Sequence, residues 1–177
     1  MHTIYTIGHS TRTIEQLIEL LKAHDIEELV DVRTIPKSRH NPQFGEEELA
    51  ASLQEAGIAY KHLAKLGGLR STSKDSVNLG WQNTSFRGFA DYMATSEFQT
   101  GLDELKALAE KKTVAIMCAE AIPWRCHRSL ISDALIVRGV EVRHVTSRSK
   151  PERHTLTLFA RVQDGRITYP PPDTLPL

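Results

Sequence analysis

The chain has 177 residues, of which 22 are basic and 22 acidic, so its formal net charge is zero. This balance excludes a global basic field for nucleic acid, and recognition of an anion would need local clustering of cations. The chain has only two cysteines, which argues against a disulfide-rich secreted scaffold. It has no signal-peptide pattern and no apolar run of about 20 residues, so no membrane helix is predicted and a cytoplasmic protein is expected.

Short apolar runs predict five strands, and the amphipathic segments between them predict helices. The predicted strands cover residues 4–7, 29–32, 58–63, 114–117 and 140–145, and the predicted helices cover 14–21, 46–56, 86–93, 97–111 and 127–138. Thr13 with Gln16, and Ser96 with Gln99, form capping-box patterns at two helix starts. The alternation predicts an α/β fold, a three-layer Rossmann-like or flavodoxin-like sandwich with a mainly parallel five-stranded sheet.

The remaining segments are predicted as loops and a terminal hairpin. Asp164-Gly165, between two short apolar segments, predicts a C-terminal β-hairpin, and the proline-rich residues 170–177 are expected to fray. Residues 34–45 and 64–85 are rich in turn-forming residues and predict long surface loops. No repeat or linker divides the chain, so residues 1–177 are expected to form a single domain.

Polar residues gather at the carboxyl end of each predicted strand. They are Gly8-His9-Ser10 at the first strand, Asp31 and Arg33 at the second, His62 at the third, Cys118 and Glu120 at the fourth, and His144 at the fifth. Ligands of open α/β sheets bind outside these strand ends. The sequence therefore predicts a polar site at this edge, where His9, Asp31, Glu120 and Arg128 share one crevice.

The densest group of polar residues lies between Cys118 and Arg128, where a buried strand leads into a helix. The first amides and the dipole of a helix favour an anion, and Arg125 and Arg128 add guanidinium groups suited to phosphate or carboxylate. Arg33 and Arg39 could approach from the loop after the second strand. These features predict an anion-binding site.

Six segments carry a resemblance to a known family. They are TIGHS at 6–10, DVRTIPKSR at 31–39, PQF at 42–44, LGG at 66–68, RGFADYM at 87–93 and MCAEAIPWRCHR at 117–128. In these segments the chain closely resembles the DUF488 family, a set of bacterial and archaeal proteins of uncharacterised function. The resemblance spans nearly the whole chain, and the last segment is highly specific. It implies a Rossmann-like α/β fold with a shared polar site, and it implies no established activity.

The two cysteines each have a structural and a chemical interpretation. Cys118 is either a small core residue or a thiolate nucleophile, and Cys126 is either a capping residue or a thiol with a lowered pKa. Together they could form a redox disulfide. They could also join His127 and His9 around a metal ion, but the C-x7-C-H spacing matches no usual zinc site, so no metal site is predicted.

The acid–base candidates have similar alternatives. Glu120 and Asp31 are either members of buried ion pairs or a general acid and base, and they would form a carboxylate pair of the glycosidase type if they faced each other. His9 either caps a turn or transfers a proton, and His127 either faces the pocket or packs beneath the helix. The 34–45 loop is either solvated or a lid over an anionic ligand.

Further sequence features bear on which ligands and reactions the site could support. Trp81 and Trp124 could stack on a base or simply pack. A cysteine after a strand and an arginine at a helix start also occur in rhodaneses and cysteine phosphatases, but residues 118–128 lack the glycines of a tight anion cradle. No GxGxxG or Walker loop is present, so dinucleotide and P-loop chemistry are not predicted and the cofactor stays unidentified.

Three functional hypotheses follow from these residues. The first is a small enzyme acting on an anionic, nucleotide-like or nucleic-acid-derived ligand; the second is a non-catalytic module that binds a nucleotide or nucleic acid; the third is a thiol redox sensor using Cys118 and Cys126. No membrane partner is expected, and the sequence does not indicate the oligomeric state. The predicted catalytic residues are Glu120, Cys118, Asp31 and His9, and the predicted ligand-binding residues are Ser10, Arg33, Arg39, Arg125, Cys126, His127 and Arg128.

Overall fold

A computed structural model describes residues 2–172 and confirms the predicted α/β fold with a largely parallel sheet. The strands are β1 (Thr3–Gly8), β2 (Glu28–Asp31), β3 (Ala59–His62), β4 (Val114–Cys118), β5 (Glu141–Val145), β6 (Glu152–Arg153), β7 (Arg161–Gln163) and β8 (Arg166–Thr168). The α-helices are α1 (Ile14–Ala23), α2 (Glu46–Glu55), α3 (Thr84–Tyr92), α4 (Ser96–Lys111) and α5 (Arg128–Val137). None of these helices is both long and apolar enough to cross a membrane.

The main sheet has the strand order β3-β2-β4-β1-β5-β6, in which the first five strands are parallel and β6 runs antiparallel at the edge. The predicted sheet lacked β6, because a two-residue strand of charged residues carries no apolar pattern. The predicted hairpin is confirmed as β7 and β8, joined through Asp164 and Gly165 with φ of 51° and 77°. Of the end predicted to fray, residues 173–177 lie outside the described residues.

The position of β4 brings three polar strand ends together. Strand β4 lies between β2 and β1, so that Cys118 pairs in register with Gly8, and Met117 pairs with Asp31. The residues that follow β1, β2 and β4 therefore leave the sheet side by side at its carboxyl edge. This is the edge at which open α/β sheets bind ligands.

Helices cover both faces of the sheet and complete three layers. Alternate side chains of a strand point to opposite faces, and in β4 Val114 and Ile116 join the core beneath α3, α4 and α5, whereas Ala115 and Met117 join the core beneath α1 and α2. All of β4 is buried, which explains its unbroken apolar sequence. The strand ends at the site are consequently held by packing from both sides.

The two capping-box predictions had different outcomes. At α1 the box is present, since the Gln16 amide donates to Thr13 Oγ1 (3.1 Å) and the Thr13 amide donates to Gln16 Oε1 (2.9 Å). At α4 the prediction was wrong, because the cap is Thr95, whose hydroxyl accepts from the Phe98 amide (3.3 Å). Adjacent Thr95 and Ser96 can both cap a helix, and the backbone conformation selects between them.

Candidate functional site

Arg128 lies at the centre of the candidate site with no exposed surface. Its Nε donates to Cys118 Sγ (3.0 Å), its Nη1 donates to Thr6 Oγ1 (3.0 Å), and its Nη2 donates to the backbone oxygen of Glu120. None of the acceptors found among residues 2–172 is a carboxylate. The buried positive charge is therefore balanced by dipoles and by the sulfur atoms around it.

The second sulfur atom belongs to Cys126, which lies two residues before α5. Its Sγ accepts from the Arg128 amide (3.5 Å) and lies 3.4 Å from His127 Nδ1. The neighbouring Cys118 lowers the pKa of Cys126 to about 7; burial opposes this shift, and the charge and amide of Arg128 support it. Burial, together with the neighbouring Cys126, raises the pKa of Cys118 well above its ordinary value. Cys126 is therefore the more acidic thiol of the pair.

His127 is held so that one ring nitrogen faces this thiol. Its Nε2 lies 2.8 Å from the backbone oxygen of Val32, which can only accept, so Nε2 carries the hydrogen and Nδ1 presents a lone pair to Cys126. Burial lowers the pKa of His127 and keeps the ring neutral near pH 7. Gly68 allows this position, because a Cβ there would lie 2.7 Å from Nδ1. A thiol, an oriented base and a fixed cation thus meet at one point.

A second buried group closes around Asp31. Its carboxylate accepts from Arg33 Nε (2.9 Å to Oδ1), from Arg33 Nη2 (2.6 Å to Oδ2) and from the Tyr60 hydroxyl (2.6 Å to Oδ2). Burial, and then the contact with Asp31, raises the pKa of Tyr60. Although burial opposes it, the pKa of Arg33 is also raised, by its hydrogen bonds to Asp31. This carboxylate is therefore engaged in an internal ion pair.

His9 lies beside that ion pair, at the end of β1. Its Nδ1 donates to the Ser10 backbone oxygen (2.9 Å), and its ring stacks on Phe44 with centroids 4.3 Å apart. Burial lowers the pKa of His9, which favours the neutral ring. His9 Nε2 and Arg33 Nη1 are two of four buried side-chain nitrogen or oxygen atoms, among residues 2–172, that lack a hydrogen-bond partner. Both can still bind a polar ligand atom or a water molecule.

The other predicted site residues lie on loops at the carboxyl edge of the sheet. Gly8 brings β1 against the loop after β4, because a Cβ at this position would collide with the Glu120 backbone oxygen. The Glu120 carboxylate is half-buried and accepts from the Ile122 amide (3.1 Å). Arg39 and Arg125 are exposed on their loops.

The structure thus sorts the predicted site residues into groups. One group combines Cys118, Cys126, His127, Arg128 and the backbone of Glu120. A second combines His9, the Ser10 backbone, Asp31 and Arg33. Arg33 and Arg128, which the sequence assigns to ligand binding, make their main contacts inside the protein. The described residues contain no cluster of three or more His, Cys, Asp or Glu arranged for a metal ion.

Sequence reasoning missed a chain of hydrogen bonds that continues from Arg128 into the protein. Thr6 Oγ1 lies 2.6 Å from His144 Nδ1, His144 Nε2 lies 2.8 Å from His154 Nδ1, and His154 Nε2 lies 2.8 Å from Asp133 Oδ1. Burial, and then His154 and Arg128, lower the pKa of His144 to about 3. Asp133 is fully buried within the apolar face of α5, and this polar interruption was the available signal.

Comparisons with known proteins identify the family. A search of curated proteins and a search of solved structures gave no match to the chain. A family model described as "Domain of unknown function DUF488" matches residues 13–135. This range covers more than half of the chain and contains the motifs at 31–39, 42–44, 66–68, 87–93 and 117–128. The resemblance stated from the sequence is thereby confirmed, and the chain belongs to the DUF488 family.

Proposed function

We propose that this protein is a thiol-based redox protein in which Cys126 reacts with a small hydroperoxide and Cys118 then closes a disulfide. One observation carries the proposal: the Cys126 sulfur lies against His127 Nδ1 (3.4 Å) and the Arg128 amide (3.5 Å), while the side chain of the same Arg128 donates to the Cys118 sulfur (3.0 Å). An oriented base beside a thiol is the general geometry of an activated nucleophile. This is the third of the functions that the sequence predicts.

The pKa values support different roles for the two thiols, with Cys126 as the attacking thiol and Cys118 as the resolving thiol. At a pKa of about 7, Cys126 is substantially thiolate at neutral pH, and the thiolate is the reactive form. The raised pKa of Cys118 keeps it protonated, so Cys126 is the thiol that reacts first with the oxidant. Cys126 is 8% exposed and Cys118 3%, which favours a small oxidant over a large substrate.

The proposed reaction balances in two steps. The Cys126 thiolate attacks the hydroperoxide, the O–O bond breaks, Cys126 becomes a sulfenic acid, and the alkoxide or hydroxide leaving group takes a proton. The Cys118 sulfur then attacks Cys126, the S–O bond breaks, and the Cys118 proton leaves with the hydroxyl as water. Formation of the disulfide would remove the negative thiolate beside Arg128, so that oxidation would change the charge at the start of α5. In a reducing cytoplasm both thiols would rest reduced.

Stoichiometric hydrogen peroxide tests the proposal. Wild-type protein is expected to lose two hydrogens as the disulfide forms, whereas Cys118→Ser should accumulate a sulfenic acid at Cys126 that dimedone traps. Cys126→Ser should consume peroxide at least about tenfold more slowly, because the remaining thiol is largely protonated. Mass spectrometry and peroxide consumption are the measurements, with melting curves as the control for folding. Equal consumption by folded Cys126→Ser, or absence of a disulfide in the wild type, would contradict the proposal.

A second candidate is the anion-binding function that the sequence predicts first. It is supported by Arg33 Nη1, which has no hydrogen-bond partner among residues 2–172, and by the exposed guanidinium groups of Arg39 and Arg125. Pyrophosphate and a nucleoside monophosphate are expected to raise the melting temperature, and Arg39→Ala with Arg125→Ala should abolish that rise, because both cations are removed. Arg161→Ala, another exposed arginine, is the control. An unchanged melting temperature with both anions counts against this candidate. If turnover accompanies binding, its loss in Glu120→Gln with binding retained would assign proton transfer to Glu120.

A further inference from the structure

A cleft of about 340 Å³ opens between the loop before α5 and the segment that follows β5. We call it the tryptophan cleft, and its lining includes Trp81, Trp124, Ser129, His154, Thr157 and Leu158. A larger surface depression, about 530 Å³, lies over α1 and contains none of the predicted site residues. The tryptophan cleft, by contrast, adjoins the most specific family motif through Trp124. It lies outside the thiol pair and does not depend on the redox proposal.

The walls of the tryptophan cleft are apolar, and part of them is exposed. Trp124 is 66% exposed and Leu158 is 97% exposed, although both are large side chains that favour burial. Trp81 is held in place edge-on against Phe86 and Phe159, with ring centroids 5.1 Å and 4.8 Å apart. A concave site with aromatic walls and a few polar groups is the usual form of a small-molecule site, and Trp124 offers a face on which a ring can stack.

The tryptophan cleft offers two hydroxyl acceptors, and its lining also contains the donors Arg153 and Trp81, whose Nε1 has no hydrogen-bond partner among residues 2–172. The hydroxyl of Ser129 donates to the Cys126 backbone oxygen (3.0 Å), and the hydroxyl of Thr157 donates to Asp133 Oδ2 (2.7 Å). Each hydroxyl has a single hydrogen, so only its lone pairs remain for a ligand. Both ring nitrogens of His144 and of His154 are also engaged, in the chain from Thr6 to Asp133. A ligand that bonds to the hydroxyls of Ser129 and Thr157 would therefore have to donate hydrogen bonds to them.

These observations point to one class of ligand. We propose that the tryptophan cleft binds a planar heteroaromatic base, stacked on Trp124, whose N–H groups donate to the hydroxyl oxygens of Ser129 and Thr157. Nucleobases with amino or imino N–H groups have this chemistry. The base is the element that is recognised, whether it comes from a free nucleoside or from a single-stranded nucleic acid.

Intrinsic fluorescence tests the proposal directly, because both tryptophans of the chain line the cleft. Adenosine, guanosine and cytidine are the probes, and at least one is expected to change the fluorescence saturably. N6,N6-dimethyladenosine keeps the purine ring but lacks the exocyclic N–H groups. It should bind at least about fivefold more weakly than adenosine, because the loss of one hydrogen bond costs about 1 kcal/mol. Ribose 5-phosphate, which has no base, should not bind. A hexa-adenosine oligonucleotide is the nucleic-acid arm, and tighter binding than adenosine would identify that source.

The variants separate stacking from general apolar contact. Trp124→Ala should weaken adenosine binding about tenfold or more, since loss of a stacked aromatic costs about 1–3 kcal/mol. Leu79→Ala removes another exposed apolar side chain, which does not line the cleft, and should leave the affinity unchanged. No saturable change with any of the three nucleosides, equal binding of the dimethylated probe, or full affinity in Trp124→Ala would each overturn the proposal.

Discussion

Replacement of Arg128 by methionine is expected to lower the free energy of unfolding by about 3–5 kcal/mol, because it leaves three buried acceptors without a donor, at about 1–3 kcal/mol for each unsatisfied group. The guanidinium is fully buried and donates to Cys118, Thr6 and the Glu120 backbone, and all three acceptors would lose their donor. Urea unfolding, followed by circular dichroism, measures the change. Arg125→Met is the matched control, because Arg125 is exposed and its replacement should change stability by less than about 0.5 kcal/mol.

The same variant has a second readout at the thiol. In the wild type, the rate of Cys126 alkylation should rise with pH around a midpoint of about 7, the pKa of this thiol. Below this pH the protonated, unreactive form predominates. Loss of the Arg128 charge and of its side-chain contact should move the midpoint upward, because these favour the thiolate. Cys118→Ser isolates Cys126 for labelling, and it also replaces the neighbouring thiol that lowers the pKa of Cys126, so the two arginine states must be compared in that background. An unchanged midpoint would show that Arg128 does not activate Cys126.

Replacement of Asp31 by alanine is expected to lower the free energy of unfolding by about 3–5 kcal/mol. The carboxylate is fully buried, and its removal would leave the Arg33 guanidinium and the Tyr60 hydroxyl without their main acceptor. Asp103→Ala is the control, because the ion pair of Asp103 with Arg138 (2.8 Å) is at the surface and contributes about 0–1 kcal/mol.

Tyr60→Phe separates the two contacts of Asp31. It removes one hydrogen bond and keeps the ion pair with Arg33, so it should cost about 1 kcal/mol. Equal losses of stability in Asp31→Ala and Asp103→Ala would show that the buried pair contributes no more than a surface pair. A proton-transfer role for Asp31, predicted from the sequence, would instead require a loss of reaction without a large loss of stability.

Periodicity and capping residues gave the helices and parallel strands, because these signals depend on residues close in the chain. The buried run at β4 and the capping residue Thr13 are examples, and both elements formed where predicted. The failures also have local causes. The antiparallel edge strand β6 has two charged residues and no pattern, and the start of α4 offered two adjacent capping residues.

At the candidate site, the sequence predicted the residue types but not their contacts. Its residue types followed from the strand ends, since chain connectivity sends each parallel strand to the same edge. Their individual contacts did not follow. Arg33 and Arg128 were predicted to face a ligand, and both lie in the interior, one against Asp31 and the other against Cys118 and Thr6. The partners Thr6 and Tyr60 are distant in sequence from these arginines, so no short motif could have named them.

The sequence by itself determined the α/β class, the family motifs and the gathering of reactive residues at strand ends, because each depends on local pattern and chain direction. Only the tertiary structure decided that β4 lies between β2 and β1, that Cys126 rather than Cys118 is the more acidic thiol, and that Arg128 is buried beside both. Strand order and burial arise from contacts between residues far apart in the chain. Those contacts set the pKa of each thiol, and so they decide which residue can react.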